Sequence, residues 1–121
     1  MSKKEITFNI FMRKPKYPLI VISKDHLMSA FDIDELAYCC VSAELTDGET
    51  VIKAIDSTGE EFWYTPKYYV VSPGFVRKRW TKKRIIDLYN NFENEVKYSE
   101  KSLSAKKVNR IILDICNLLK S

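Results

Sequence analysis

Val51-Ile52-Lys53-Ala54-Ile55, Asp56-Ser57-Thr58-Gly59 and Glu61-Phe62-Trp63-Tyr64-Thr65 follow one another almost without interruption. Two runs rich in β-branched and aromatic residues flank four residues suited to a tight reversal, so this stretch reads as a β-hairpin. Pro66 interrupts it, and Tyr68-Tyr69-Val70-Val71 then reads as a further strand that ends at Pro73-Gly74. A sheet is the centre of the fold.

Upstream, Glu5 to Met12 alternates apolar residues at 6, 8 and 10, the period of a half-buried strand. Leu19 to Ser23 is a continuous run rich in β-branched residues that reads as an interior strand, and the basic segment from Arg13 to Tyr17 separates the two. They read as two antiparallel strands joined by a basic loop. Asp32-Ile33-Asp34-Glu35 has the form of a capping box, and apolar residues at 33, 36, 37, 40 and 41 predict a short helix near 33–40. Thr46-Asp47-Gly48-Glu49 is a turn.

Downstream, Thr81 caps a segment in which Ile85, Tyr89, Phe92 and Val96 fall on one helical face. Ser102 or Ser104 starts a last helix with a stripe of Val108, Ile111, Ile112, Ile115, Leu118 and Leu119. Both stripes need an apolar partner, and the sheet supplies it. The expectation is an α+β domain, an antiparallel or mixed sheet of four to five strands covered by two C-terminal helices. A single domain over residues 1–121 is expected, with 1–76 mainly strands and 81–119 two helices.

The 121 residues suffice for a core without disulfides or metal, and 45% apolar content suits a folded globule. The longest apolar run near the N-terminus, Leu19 to Ile22, is far shorter than a membrane span. Neither a membrane partner nor an export signal is expected. Cys39, Cys40 and Cys116 are odd in number and two are adjacent, which suits buried free thiols in a reducing cytoplasm.

Charge is sorted into blocks. Residues 1–24 carry six Lys/Arg against Glu5 alone, residues 25–61 carry ten Asp/Glu against Lys53 alone, and residues 62–121 carry thirteen Lys/Arg against five Asp/Glu. Such blocks make local fields that select charged partners. The acids Asp32, Asp34, Glu35, Glu44, Asp47 and Glu49 fall on a helix start and a turn. They form a candidate surface for a basic partner, with Trp63 or Tyr64 as aromatic anchors.

Catalytic chemistry finds little support. His26 is the only histidine, and Cys39-Cys40 lacks the gap that lets two thiolates share one zinc. A Cys–His nucleophile pair has no local pattern behind it, and phosphate-binding glycine loops and hydrolase motifs are absent. No enzyme, cofactor or metal site is expected. Arg77, Lys78, Arg79, Trp80, Lys82, Lys83 and Arg84 form the densest basic run. Its cations suit phosphates and its indole suits a base, which gives nucleic-acid binding as the alternative function. A solvated ridge facing the acidic block is the plainer account of the same residues.

Leu19 to Ser23, Asp34-Glu35-Leu36-Ala37-Tyr38-Cys39 and Ala54 to Phe62 together resemble small immunity-type proteins. These accompany bacterial polymorphic toxins, including those of contact-dependent inhibition. The resemblance covers about residues 19–65: a strand, an Asp-x-Asp-Glu-Leu helix start followed by a cysteine, and an Ile-Asp-Ser-x-Gly hairpin. It implies a cytoplasmic, non-enzymatic inhibitor that binds one cognate toxin domain. The acidic block suggests that such a toxin is basic, as a nuclease is.

Overall fold

A computed structural model describes residues 9–74, 79–92 and 96–120. Six strands and four helices follow in chain order: β1 (Asn9–Ile10), β2 (Leu19–Ile22), β3 (Leu27–Ala30), α1 (Ile33–Ser42), β4 (Ile52–Ile55), β5 (Glu61–Thr65), β6 (Val70–Pro73), α2 (Lys82–Asn91), α3 (Ser102–Ala105) and α4 (Val108–Lys120). The strands form one mixed sheet in the order β1-β6-β5-β4-β2-β3. The α+β class and its helical C-terminus are as the sequence predicts. The sheet has six strands, one more than the upper expectation.

The extra strand is β3, which pairs antiparallel with β2 from Leu19↔Ala30 to Ile22↔Leu27. Leu-Met-Ser-Ala lacks β-branched residues, so propensity gives no sign of it. Burial explains it instead. Leu19, Ile20 and Val21 are wholly buried, so β2 is covered on both faces and has a neighbour on each side, β3 and β4.

The expected pairing of the first strand with β2 does not occur. Asn9 and Ile10 pair parallel with Val70 and Val71, at the opposite edge of the sheet. The segment between β1 and β2 is tied to the β4–β5 turn: Arg13 pairs with Glu60, the Lys16 amide donates to Asp56 Oδ2 at 3.1 Å, and Ser57 N–H donates to the Lys16 carbonyl at 2.9 Å. Those ties carry the chain across the sheet and leave β1 on the far side.

That turn is organised by one buried carboxylate. Asp56 Oδ1 accepts from Thr58 N at 2.9 Å, Thr58 Oγ1 at 2.6 Å and Glu60 N at 3.1 Å. Gly59 sits at φ 87°, a conformation that disfavours any Cβ. A Cβ there would also lie 3.1 Å from Val108 Cγ1 and 3.2 Å from the Trp80 carbonyl.

Each face of the sheet has its own core. Leu19, Val21, Ala54, Phe62, Tyr64 and Val71 pack with Leu36, Cys39 and Cys40 of α1. Ile20 and Ile55 pack with Ile85, Ile86 and Tyr89 of α2 and with Ile111, Ile112, Ile115 and Cys116 of α4. The helix stripes therefore find the sheet as expected, with one exception. Val96 is exposed and lies beyond α2, which ends where Phe92 turns extended. Tyr89 Oη donates to the Val96 carbonyl at 2.8 Å, and Asn90 brackets the Tyr98 backbone with two bonds.

The C-terminal helices are locked by a partly buried ionic cluster. Asp114 accepts from Lys106 Nζ at 2.7 Å and Tyr98 Oη at 2.8 Å, and pairs with Arg110 Nε at 3.0 Å. Burial alone would push the Asp114 carboxyl up; the bonds from Lys106 and Tyr98, with the charges of Lys106 and Arg110, outweigh it and hold the group below the ordinary aspartate value. A carboxyl lowered on folding stabilises the fold above its unfolded-state pKa, and that contribution is lost as pH falls through the depressed folded value. Urea midpoints measured downward from neutral pH should therefore fall less steeply below the normal aspartate range in Asp114→Asn than in the parent chain. Among the described residues, no helix is long and apolar enough to cross a membrane.

Candidate functional site

Helix α1 begins as its sequence dictates. Asp32 caps it by accepting from Glu35 N at 2.8 Å, and Glu35 Oε1 reaches back to Phe31 N at 2.8 Å. Two of the six candidate acids are thus engaged in starting the helix, where their charge also suits its positive end. Asp34, between them, is exposed.

The other three acids follow the C-terminal end of α1. Glu44, Asp47 and Glu49 are exposed. Asp47 lies 3.1 Å from Lys24 Nζ and Glu49 lies 3.6 Å from Lys53 Nζ, so two of the three are offset by the protein's own lysines. Exposed pairs of this kind are weak, about 0–1 kcal/mol each. A helix of ten residues spans about 15 Å, so the acids form two groups separated by roughly that length.

Between them lies an exposed apolar strip, of which only Ile33 and Val41 belong to the apolar spacing that predicts the helix. Tyr38 is 65% exposed and Val41 is 52% exposed, and Ile33 and Leu45 are also exposed. At 100° per residue, Asp34, Tyr38 and Val41 lie within roughly 60° of each other on the outer side of α1. The core stripe is Leu36, Ala37, Cys39 and Cys40; Val41 sits at its margin, while Ile33 shares the stripe's direction but is exposed at the first residue of the helix. Tyr64, named as an aromatic anchor, is buried under α1, and half-buried Trp63 donates its indole N–H to Glu61 at 2.7 Å. The exposed ring of this region is Tyr38.

The basic run is differently placed. Arg77 and Lys78 lie outside the described residues. Arg79 donates to the Thr58 carbonyl at 3.2 Å, Lys82 to the Leu103 carbonyl at 3.0 Å, and Lys83 to Asp87 at 3.2 Å. Arg84 lies 4.3 Å from the centre of the Trp80 ring, while the Trp80 indole donates to Glu61 Oε1 at 2.9 Å. The indole is thus covered on one face by this chain's own guanidinium. A cleft of about 270 Å³ lies beside it, lined by Glu49, Lys53, Glu61, Trp80, Arg84 and Leu88 among others.

The thiols and the histidine do not meet. His26 is exposed in the β2–β3 turn, whereas all three cysteines are buried and free. Burial, with a smaller push from Glu35, raises the Cys39 thiol to about 11. Burial, aided by a neighbouring cysteine, raises Cys40 and Cys116 to about 12. Thiols held this way are poor nucleophiles at neutral pH. Cys39 and Cys116 donate instead to the carbonyls of Ser29 and Leu19. Among the described residues, no group of three His, Cys, Asp or Glu side chains could hold a metal ion.

Comparison with protein-family models, curated proteins and solved structures gives no match for this chain.

Proposed function

We propose that this chain is a non-enzymatic immunity protein that neutralises a basic toxin domain, a nuclease being the best fit, by binding it through the outer face of α1. One observation supports this reading above the others: an exposed Tyr38–Val41 strip on α1 has acidic groups at both ends. A central aromatic anchor with charged surroundings is the anatomy of a protein-binding hot spot. Acids at the rim attract a cationic partner and speed its arrival. The resemblance over residues 19–65 supplies the class of partner, and α1 lies within it.

The test is co-expression with the protein encoded immediately upstream. Growth protection by this chain is expected, and its absence sinks the reading. With that toxin domain in hand, Tyr38→Ala should weaken binding by about 2 kcal/mol, roughly 30-fold, while the domain stays folded. Reversing Asp34, Glu44 and Asp47 to lysine should slow association about tenfold or more at low salt. Asp32 and Glu35 are left in place because they cap the helix. Protection without sensitivity to either set of changes would move the interface away from α1.

A further inference from the structure

The edge of the sheet farthest from β3 has features that stability does not explain. Phe11 is 60% exposed, Met12 82%, Tyr68 63% and Tyr69 58%. Two of these four also have backbones in the left-handed region, Met12 at φ 69° and Tyr69 at φ 55°. Bulky residues are uncommon there, and such strain concentrates at functional positions. An exposed apolar side chain on a strained backbone brings the fold no packing in return.

The pairing of β1 with β6 places all four along one edge of the sheet. Asn9 N–H donates to the Tyr69 carbonyl at 2.8 Å, and Phe11 N–H donates to the Val71 carbonyl at 2.8 Å. Phe11 and Met12 therefore leave the pair at one end while Tyr68 and Tyr69 enter it at the other, a few residues apart. Cations accompany the rings: Lys67 Nζ lies 5.6 Å from the Tyr68 ring centre, and Lys14 is exposed. The described stretches that form and flank this pair, residues 9–14 and 67–74, contain no Asp or Glu. Arg13 is paired with Glu60, and Lys14 and Lys67 are exposed beside the rings' strands.

We propose that this edge binds single-stranded nucleic acid, with Phe11, Tyr68 and Tyr69 stacking on bases and Lys14 and Lys67 contacting phosphates. Three exposed rings with exposed lysines in the same segments are what a strand with a π-face on every base requires. The residues of this surface are distinct from those of the outer face of α1, so the proposal stands whether or not a toxin is bound there.

Anisotropy of labelled short single-stranded RNA and DNA, titrated with the full chain at low and then moderate salt, tests this. Binding that weakens steeply with salt is expected. Tyr69→Gly and Met12→Gly place glycine where the backbone already suits it, so neither should lower the thermal midpoint. Tyr69→Gly, Phe11→Ala and Tyr68→Ala should each reduce affinity by roughly tenfold. Absence of binding at low salt overturns the proposal, as does binding that survives all three ring removals. Adsorption to anionic vesicles without oligonucleotide binding overturns it as well, and identifies the edge as a membrane contact.

Discussion

Asp56→Ala should lower the unfolding free energy by about 3–4 kcal/mol, read as a shift of the urea midpoint. The carboxylate is 2% exposed and accepts from Lys16 N, Thr58 N, Thr58 Oγ1 and Glu60 N. Hydrogen bonds to a charged acceptor contribute about 1.5–3 kcal/mol, and a buried donor left without one costs about 1–3 kcal/mol. Alanine removes the shared acceptor of three amides and one hydroxyl, the Glu60 amide among them being buried. A domain of this size has only about 5–15 kcal/mol to lose. Asp56→Asn should fall between, because one oxygen remains while the new NH2 group faces an amide donor. A loss below about 1 kcal/mol for alanine would mean that the turn holds its shape without the side chain.

Phe62→Ala should cost about 4 kcal/mol, close to the upper range for a core aromatic. Phe62 is wholly buried on β5, and its cross-strand partner is Ala54, whose small side chain leaves room for the ring. Truncation opens a cavity between the sheet and α1 that Ala54 cannot fill. Phe62→Leu, which leaves a smaller void, should recover more than half of the loss. Equal midpoints for the alanine variant and the parent chain would contradict the packing described.

Which parts of this fold could be read from residues alone follows from the range of the forces involved. The β4–β5 hairpin and the start of α1 are encoded locally, by Asp56-Ser57-Thr58-Gly59 and by Asp32 with Glu35, and both are found where expected. The stripe of α4 is equally plain, since Ile111, Ile112 and Ile115 are all wholly buried. The partner of β1 is not encoded locally. The alternation at 6, 8 and 10 predicts a strand but names no partner for it, and Arg13 and Lys16 tie the segment that follows to the β4–β5 turn. The last strand begins at Val70 and not at Tyr68, because the left-handed backbone of Tyr69 prevents an earlier start.

The candidate surface was legible in charge but not in shape. Counting acids finds the negative third of the chain, yet does not reveal that Asp32 and Glu35 are engaged in capping or that Lys24 and Lys53 offset two others. Tyr38 and Val41 were missed as exposed anchors because Val41 fits the margin of the core stripe. A signal was present: Asp34, Tyr38 and Val41 recur at steps of four and three, on the side away from Leu36.

The parallel pairing of β1 with β6 has a consequence for how the chain is made. Asn9 meets Val70, a partner about sixty residues later. During synthesis the first strand must wait, unpaired, until the ribosome has released almost the whole sheet. The β2–β3 and β4–β5 hairpins close over short loops and can assemble beforehand, whereas loop closure for β1 carries the larger entropic cost. The N-terminal edge is therefore the last seam of the sheet to be sewn, and the first that a stalled or shortened chain would leave open.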